Sequence, residues 1–345
     1  MNNPFANTLI AWYQRNGRSL PWRNISDPYR IWISEIIMQQ TQVKQGYDYY
    51  CRFIEHFPSV ECLANAPEDE VLRLWQGLGY YSRARNLHAA ARQIVEWGGF
   101  PQTYADIIRL KGVGEYTAAA IASFAFREPR AVVDGNVYRV LARHNNIDTP
   151  IDTTQGKRLF STLAQQLLDT DHPDTYNQAI MDFGALVCTP HNPQCTTCPL
   201  QDSCEGLTQA TVSDLPVKSH RTKVRDRYLI YINIRCRSHI LIHKRGTDDI
   251  WRGLYEFPLI EAQHMLSEAE MMKQPLICQL IAQGAHIRRH IRDHRHQLSH
   301  QRLHVDYYTI DVDHRPDIPG QWIPEHELDN YPFPRLILSL LEHAR

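Results

Sequence analysis

The sequence predicts a multi-domain protein, an all-α domain followed by a smaller α+β domain. Three observations lead there. At about 150 residues per domain, the 345 residues suit two domains. Up to about residue 205 the apolar residues recur mostly at helical spacing, and beyond about residue 225 they alternate as in strands. The histidines divide unevenly, with six of the 18 before residue 225 and twelve after it.

Each element follows from local signals. DPYRIWISEIIMQQTQV opens on Asp27-Pro28, a good helix start, then carries Ile31, Trp32, Glu35, Ile36 and Met38. EDEVLRLWQGLGYYSRARNLHAAARQIVEW reads as two helices joined around Gly77 and Gly79. YTAAAIASFAF, NVYRVLARH and YNQAIMDFGALV are further helices. TVSDLPVKSHRTKVRD is polar, contains Pro216 and lacks periodicity, as a linker does. RYLIYINIRCRSHILIHKR predicts a hairpin turning near Arg237-Ser238, and LHVDYYTIDV another strand.

Composition excludes several classes. Hydrophobic residues are 43% and charged residues 22%, which argues against long disorder, collagen and low-complexity repeats. No run approaches the roughly 18–20 apolar residues of a membrane helix. MNNPFANTLIAWYQR has no basic segment leading into an apolar one, so a cytoplasmic protein is expected. A formal net charge of -1 excludes a uniformly basic nucleic-acid binder but not a locally basic groove.

Four of the eight cysteines, Cys188, Cys195, Cys198 and Cys204, lie within seventeen residues as C-x6-C-x2-C-x5-C. Four thiolates on one proline-stiffened loop can wrap an iron–sulfur cubane or a zinc ion. Zinc sites more often use two short C-x2–4-C knuckles, so the single C-x2-C favours [4Fe-4S]. Upstream, Leu110-Lys111-Gly112-Val113-Gly114 joins two helical patterns. Gly112 and Gly114 permit a tight turn and close approach of a DNA backbone. The turn and the following helix N-terminus can hold a phosphate, to which Lys111 could add charge; taken alone, the pattern reads first as an ordinary helix–turn–helix corner.

Two carboxylates read differently. Glu35 sits among Trp32, Ile33, Ile36, Ile37 and Met38, which would desolvate it and keep its proton. Asp134 precedes NVYRVLARH as a candidate N-cap, where capping bonds and the helix dipole are expected to keep it ionised. That divergence divides acid and stabiliser roles in glycosidic cleavage.

The hairpin, the Asp in VVDGNV and the cysteine spacing together resemble the endonuclease III superfamily of DNA glycosylases. LPWR (20–23), SEIIMQQTQV (34–43) and GLGYYSRARNL (77–87) more closely resemble its MutY-type adenine DNA glycosylases, and the match spans nearly the whole chain. The resemblance implies a helical glycosylase domain over 1–208, with the helix–hairpin–helix at about 103–126 and the iron–sulfur loop at 188–204. A linker over 209–225 and a Nudix-like domain over 226–345 follow. WRGLYEFPLIE (251–261) resembles the MutT-type Nudix fold, but no Gly-x5-Glu-x7-Arg-Glu-x2-Glu-Glu box follows, so a recognition module is expected and not a nucleotide hydrolase.

By the same resemblance Glu35 protonates adenine N7 and then activates water, Asp134 stabilises or captures the sugar cation, Tyr116 supports Glu35, and Asn136 orients the sugar or Asp134. A Lys stands at the position of Tyr116 in bifunctional relatives, so a monofunctional enzyme is implied. Trp22 and Arg23 would line the adenine pocket, with Gln178 reading an adenine edge or serving a structural end. Gln39, Gln40 and Thr41 would meet the duplex, Gln40 as a wedge, and Tyr80 would insert beside the opposite base. Ser299 and His300 match a family Phe-Ser-His loop that checks 8-oxoguanine, while Leu298 departs from its Phe. The six histidines of 286–304 suit a wet basic face near DNA, or a metal. The expected partner is double-stranded DNA with A:8-oxoG or A:G mispairs, met by a monomer in a bacterial cytosol. The rivals are a bifunctional pyrimidine glycosylase and a non-catalytic iron–sulfur DNA-binding protein.

Overall fold

The computed structural model describes residues 3–219, 224–246 and 249–344. The expected linker at 209–225 therefore falls partly outside the described residues, at 220–223. The chain divides into two compact units. One is Met1–Asn65 with Ala89–Arg221, the other Ala66–His88 with Thr222–Arg345.

The helices run in chain order as α1 (Pro4–Asn16), α2 (Pro28–Met38), α3 (Val43–His56), α4 (Val60–Asn65), α5 (Glu68–Leu74), α6 (Ser82–Glu96), α7 (Tyr104–Ile107) and α8 (Glu115–Phe126). They continue as α9 (Gly135–His144), α10 (Thr154–Leu167), α11 (Pro173–Leu186) and α12 (Glu205–Thr208). In α2, Asp27 accepts from the Tyr29 and Arg30 N–H groups and Pro28 stands at the first turn, as the sequence predicts. All residues from Ile31 to Ile37 are buried, so α2 is a core helix with one ionisable side chain, Glu35, in that run. A neighbouring core gathers Leu9 and Trp12 of α1, Val140 and Leu141 of α9, Phe160 of α10 and Tyr176, Ile180 and Phe183 of α11.

Sequence placed Ala66–His88 inside the helical domain, but its contacts group it with the C-terminal unit. Polar bonds are among those contacts. Asp69 pairs with Lys244 and accepts from Tyr255, Arg85 donates to the Arg252 carbonyl, and the Tyr80 hydroxyl meets Ser299 Oγ.

The C-terminal unit is built on a mixed sheet of β1 (Arg225–Cys236), β2 (His239–Lys244), β3 (Tyr255–Glu256), β4 (Leu259–Ala262), β5 (His286–Gln297), β6 (Gln301–Asp311) and β7 (Gln321–Pro324). α13 (Glu268–Met271), α14 (Pro275–Ala282) and α15 (Arg335–Ala344) complete it. The hairpin expected at Arg237-Ser238 is present, with Cys236 opposite His239. β1 and β6 pair in parallel from Arg225↔Gln301 to Arg235↔Asp311. Leu229 and Tyr231 of β1 join a core with Leu336 and Leu340 of α15, while Ile230, Ile232 and Ile234 join another with Leu280 of α14. Both faces of β1 are covered, which is why its sequence is a nearly unbroken apolar run rather than an alternation.

The Asp27 cap sets the start of the Glu35 helix. Asp27→Ala should lower unfolding free energy by about 1 kcal/mol, read from a denaturant midpoint that shifts without a change in slope.

Candidate active site

Glu35 is buried, 8% exposed, and its Oε2 accepts a 2.7 Å hydrogen bond from the Tyr116 hydroxyl. Burial pushes its carboxyl above the ordinary value. The Tyr116 bond and the Arg23 charge oppose that rise, and the Asp134 charge adds to it. Burial and the two carboxylates push the Tyr116 phenol well above its usual value, so it stays a donor. Glu35, Tyr116, Asp134 and Arg23 thus share one electrostatic environment. Tyr116 lies in the first turn of α8, which the glycine turn feeds.

Asp134 caps α9 as expected. Oδ1 accepts from the N–H groups of Asn136 (2.9 Å) and Val137 (2.8 Å), and Oδ2 from Asn136 Nδ2 (2.8 Å). The expectation that capping keeps this acid at an ordinary or lower pKa is corrected. Desolvation is the largest influence and raises it, with the capping bonds and Arg139 only partly offsetting the rise. Both carboxyls are therefore raised, and they differ in hydrogen bonding more than in direction.

Arg139 escaped the sequence reading. Its Nη2 donates to Asn136 Oδ1 (2.8 Å) and Gly184 O (2.6 Å), and its Nε to Cys188 O (2.6 Å). The asparagine that holds Asp134 is thereby tied to the first cysteine of the loop. A Cβ on Gly184 would stand 2.7 Å from Asn136 Cβ, so α11 approaches α9 as only glycine permits. The available signal was one helical turn, Asn136 to Arg139, on a short helix.

Trp22 is buried against Tyr50 and Tyr47, with ring centroids 4.8 Å and 6.1 Å away. Arg23 lies 5.9 Å over the Phe124 ring, with Nη2 3.4 Å from Asp182. Its Nε is buried with no hydrogen-bond partner among the described residues. Asp182, which sequence reasoning also missed, is fully buried and held by Arg18 through the backbone N–H and Nε, both at 3.1 Å. An acid on the buried face of α11 was the signal. Gln178 is buried too, and its Oε1 accepts from Tyr13 at 2.8 Å, which engages the acceptor side of its amide.

Gln39 Nε2 donates to Thr117 Oγ1 (3.2 Å), Gln40 is exposed at φ +59°, and Thr41 Oγ1 donates to Gln39 O (3.4 Å). Lys111 is exposed, and its N–H donates to Gln93 Oε1 (2.7 Å). Gly112 takes φ +74°, and Gly114 is the N-cap of α8. In the other unit, Tyr80 is exposed at φ +46° and touches Ser299. His300 is exposed, with its carbonyl accepting from Arg225 N–H at 3.0 Å, and Leu298 packs on the α15 side of the sheet.

Cys188, Cys195, Cys198 and Cys204 line one small cavity with Val187, Pro193 and Arg143. Arg143 Nη1 lies 3.5 Å from Cys188 Sγ and donates to Thr189 O at 2.7 Å. Burial raises the Cys195 and Cys204 thiols, and Cys198 to about 11. Four sulfurs around one cavity suit a centre that takes thiolates, such as an iron–sulfur cluster. Four of the six histidines of 286–304, His290, His294, His296 and His304, meet acids or rings. His304 lies between Asp226 (3.0 Å) and Asp293 (3.1 Å), and His290 stacks on Tyr308 at 4.1 Å. Among the described residues no group of three or more His, Cys, Asp or Glu is set to hold a single metal ion.

A helix–hairpin–helix turn beside a buried acid and a capping aspartate defines a base-excision DNA glycosylase. Residues 33–166 match the HhH-GPD superfamily of base excision DNA repair proteins, and residues 230–343 match the NUDIX domain. The solved structure of a thermostable thymine-DNA glycosylase, 29% identical, aligns with a TM-score of 0.56 over 60% of this chain and 96% of that one. An adenine DNA glycosylase from Buchnera aphidicola (strain Bp) is 34% identical over 88% of this chain and 84% of its own length. The mouse adenine DNA glycosylase is 33% identical over 94% of this chain and 75% of its own. The chain belongs to the adenine DNA glycosylase family, hydrolases that act on N-glycosyl bonds in base excision repair.

Tyr116→Phe removes the bond that favours ionised Glu35, so its pKa should rise further. The alkaline limb of the pH–rate profile should move up, with excision slowed about tenfold; an unmoved limb would detach the phenol from the acid.

Proposed function

We propose that the substrate is adenine mispaired with 8-oxoguanine or guanine in double-stranded DNA, excised by a monomer in a bacterial cytosol. The observation that carries the chemistry is the buried Tyr116–Glu35 hydrogen bond beside Asp134. Glu35, kept protonated by burial, gives its proton to adenine N7. The C1′–N9 bond breaks and its electron pair leaves with the base. The Asp134 carboxylate, held by Asn136 and the Val137 N–H, faces the cationic sugar and stabilises or captures it. Glu35, now ionised, takes a proton from the water that attacks C1′. The orphaned Arg23 Nε offers a donor to an acceptor on the flipped base. Tyr80 and Ser299 supply an aromatic face and a hydroxyl for the opposite base. A phenol at 116 cannot form a Schiff base, so the product is an intact strand with an abasic site.

The four cysteines would hold a [4Fe-4S] cluster, which orders the 188–204 loop. Arg139 and Arg143 bond that loop's backbone carbonyls, and this leaves the loop tied to α9.

Two tests apply. Duplexes with A opposite 8-oxoguanine should break only after alkali, resist borohydride trapping, and survive Glu35→Gln enzyme at a rate reduced about 100-fold or more. Breakage without alkali, or undiminished cleavage by that variant, would refute the reading. Purified protein should contain about four irons and four acid-labile sulfides, and Cys198→Ser should lose them; zinc in stoichiometric amount would replace the cluster assignment.

A further inference from the structure

The stretch between α8 and α9, which ends on Asp134, is neither helix nor strand, yet Val132 within it is buried. Buried backbone must still find hydrogen-bond partners. Here they are side-chain amides from two helices. Gln165 of α10 accepts from the Ala131 N–H (3.0 Å) and donates Nε2 to Pro129 O (2.9 Å). Asn177 of α11 accepts from the Val132 N–H (3.0 Å) and donates Nδ2 to Arg130 O (2.7 Å). One amide takes residues 129 and 131, the other 130 and 132. Alternating partners on successive residues is what an extended strand receives from neighbours on its two edges. The second Asn177 N–H donates to Ser123 Oγ of α8 (2.9 Å), and Asn177 and Ser123 are both fully buried.

We propose that Asn177 and Gln165 are positioning residues for the reaction, a pair of amide clamps that fix the approach to Asp134. The inference rests on Asp134 being the group that faces the sugar. Asp134 follows Val132 by two residues, so slippage of 129–132 moves the carboxylate off the α9 N-terminus and off the Asn136 amide. Neither amide touches substrate. The two clamps differ in exposure: Asn177 is sealed from water, whereas Gln165 is exposed and water can stand in for part of its role. Asn177 therefore carries more of the positioning. Asn177→Asp keeps the acceptor for Val132 but loses both donations and sets an oxygen against Arg130 O.

The test is single-turnover excision with enzyme in excess, on a duplex with A opposite guanine, across pH. Binding is measured for the same duplex in a Glu35→Gln background. Asn177→Asp should lower the rate constant at least about tenfold and Gln165→Leu about threefold, since small misplacements of reacting groups cost large factors. Dissociation constants should stay within about twofold, because neither side chain meets a phosphate. The acid limb should move to higher pH in both variants, as looser capping stabilises the carboxylate less. Gln165→Glu, which restores the acceptor for Ala131, should recover part of the loss. A smaller active fraction, titrated separately with substrate in excess, beside an unchanged rate constant and acid limb would mean a merely structural role and overturn the proposal. If Asn177→Asp does not fold, the surface variants Gln165→Leu and Gln165→Glu decide by the same criteria. Asp134→Asn, run alongside, separates the two ideas. Full activity there removes the role of Asp134 itself, whereas an inactive Asp134→Asn beside unaffected clamp variants removes only the clamps.

Discussion

A carboxyl group denied water is the constraint on which the helical unit is arranged. Glu35 could be placed cheaply on the surface of α2, yet every residue from Ile31 to Ile37 is buried. The folded-state pKa values of Glu35 and Asp134 are both raised. Groups shifted this way favour the fold below the ordinary carboxyl range, and that contribution is lost as pH rises through the raised values. At neutral pH the pair is therefore a cost to stability, offset by the apolar helices around it. The Tyr116 hydroxyl, the Asn136 amide and the Arg23 charge keep the cost bounded by favouring the ionised forms.

Much of this was legible in the chain. The Asp27-Pro28 start, the glycine turn before α8, the capping role of Asp134 and the β1–β2 hairpin all depend on signals a few residues long. What was not legible depends on separations that no local pattern encodes. Arg139 reaches Gly184 and Cys188, Asp182 gathers Arg18 and Arg23, and Asn177 serves a stretch 45 residues upstream. The raised pKa of Asp134 is of the same kind. A cap can be read from sequence, but the amount of protein packed around it cannot, and here packing outweighed capping.

The C-terminal unit shows how a fold can keep its frame and spend its acids differently. Three of its carboxylates answer to arginines. Glu261 and Asp249 bond Arg227, and Glu256 pairs with Arg245 and His243. Carboxylates committed in this way brace one strand against the next. The turn between β5 and β6 carries Ser299, which meets the Tyr80 hydroxyl, and the exposed His300.

The grouping of Ala66–His88 with the C-terminal unit bears on how the protein can be taken apart. Asp69, Tyr80 and Arg85 find partners in Lys244, Ser299 and Arg252, far along the chain. A truncation at the polar stretch after residue 208 would not release a finished half. It would strip an interior segment of its neighbours, among them the Phe333 carbonyl that the buried Tyr81 hydroxyl meets. The C-terminal unit is thus assembled from two separate stretches of chain, and a cut between residues 208 and 225 leaves one of them behind.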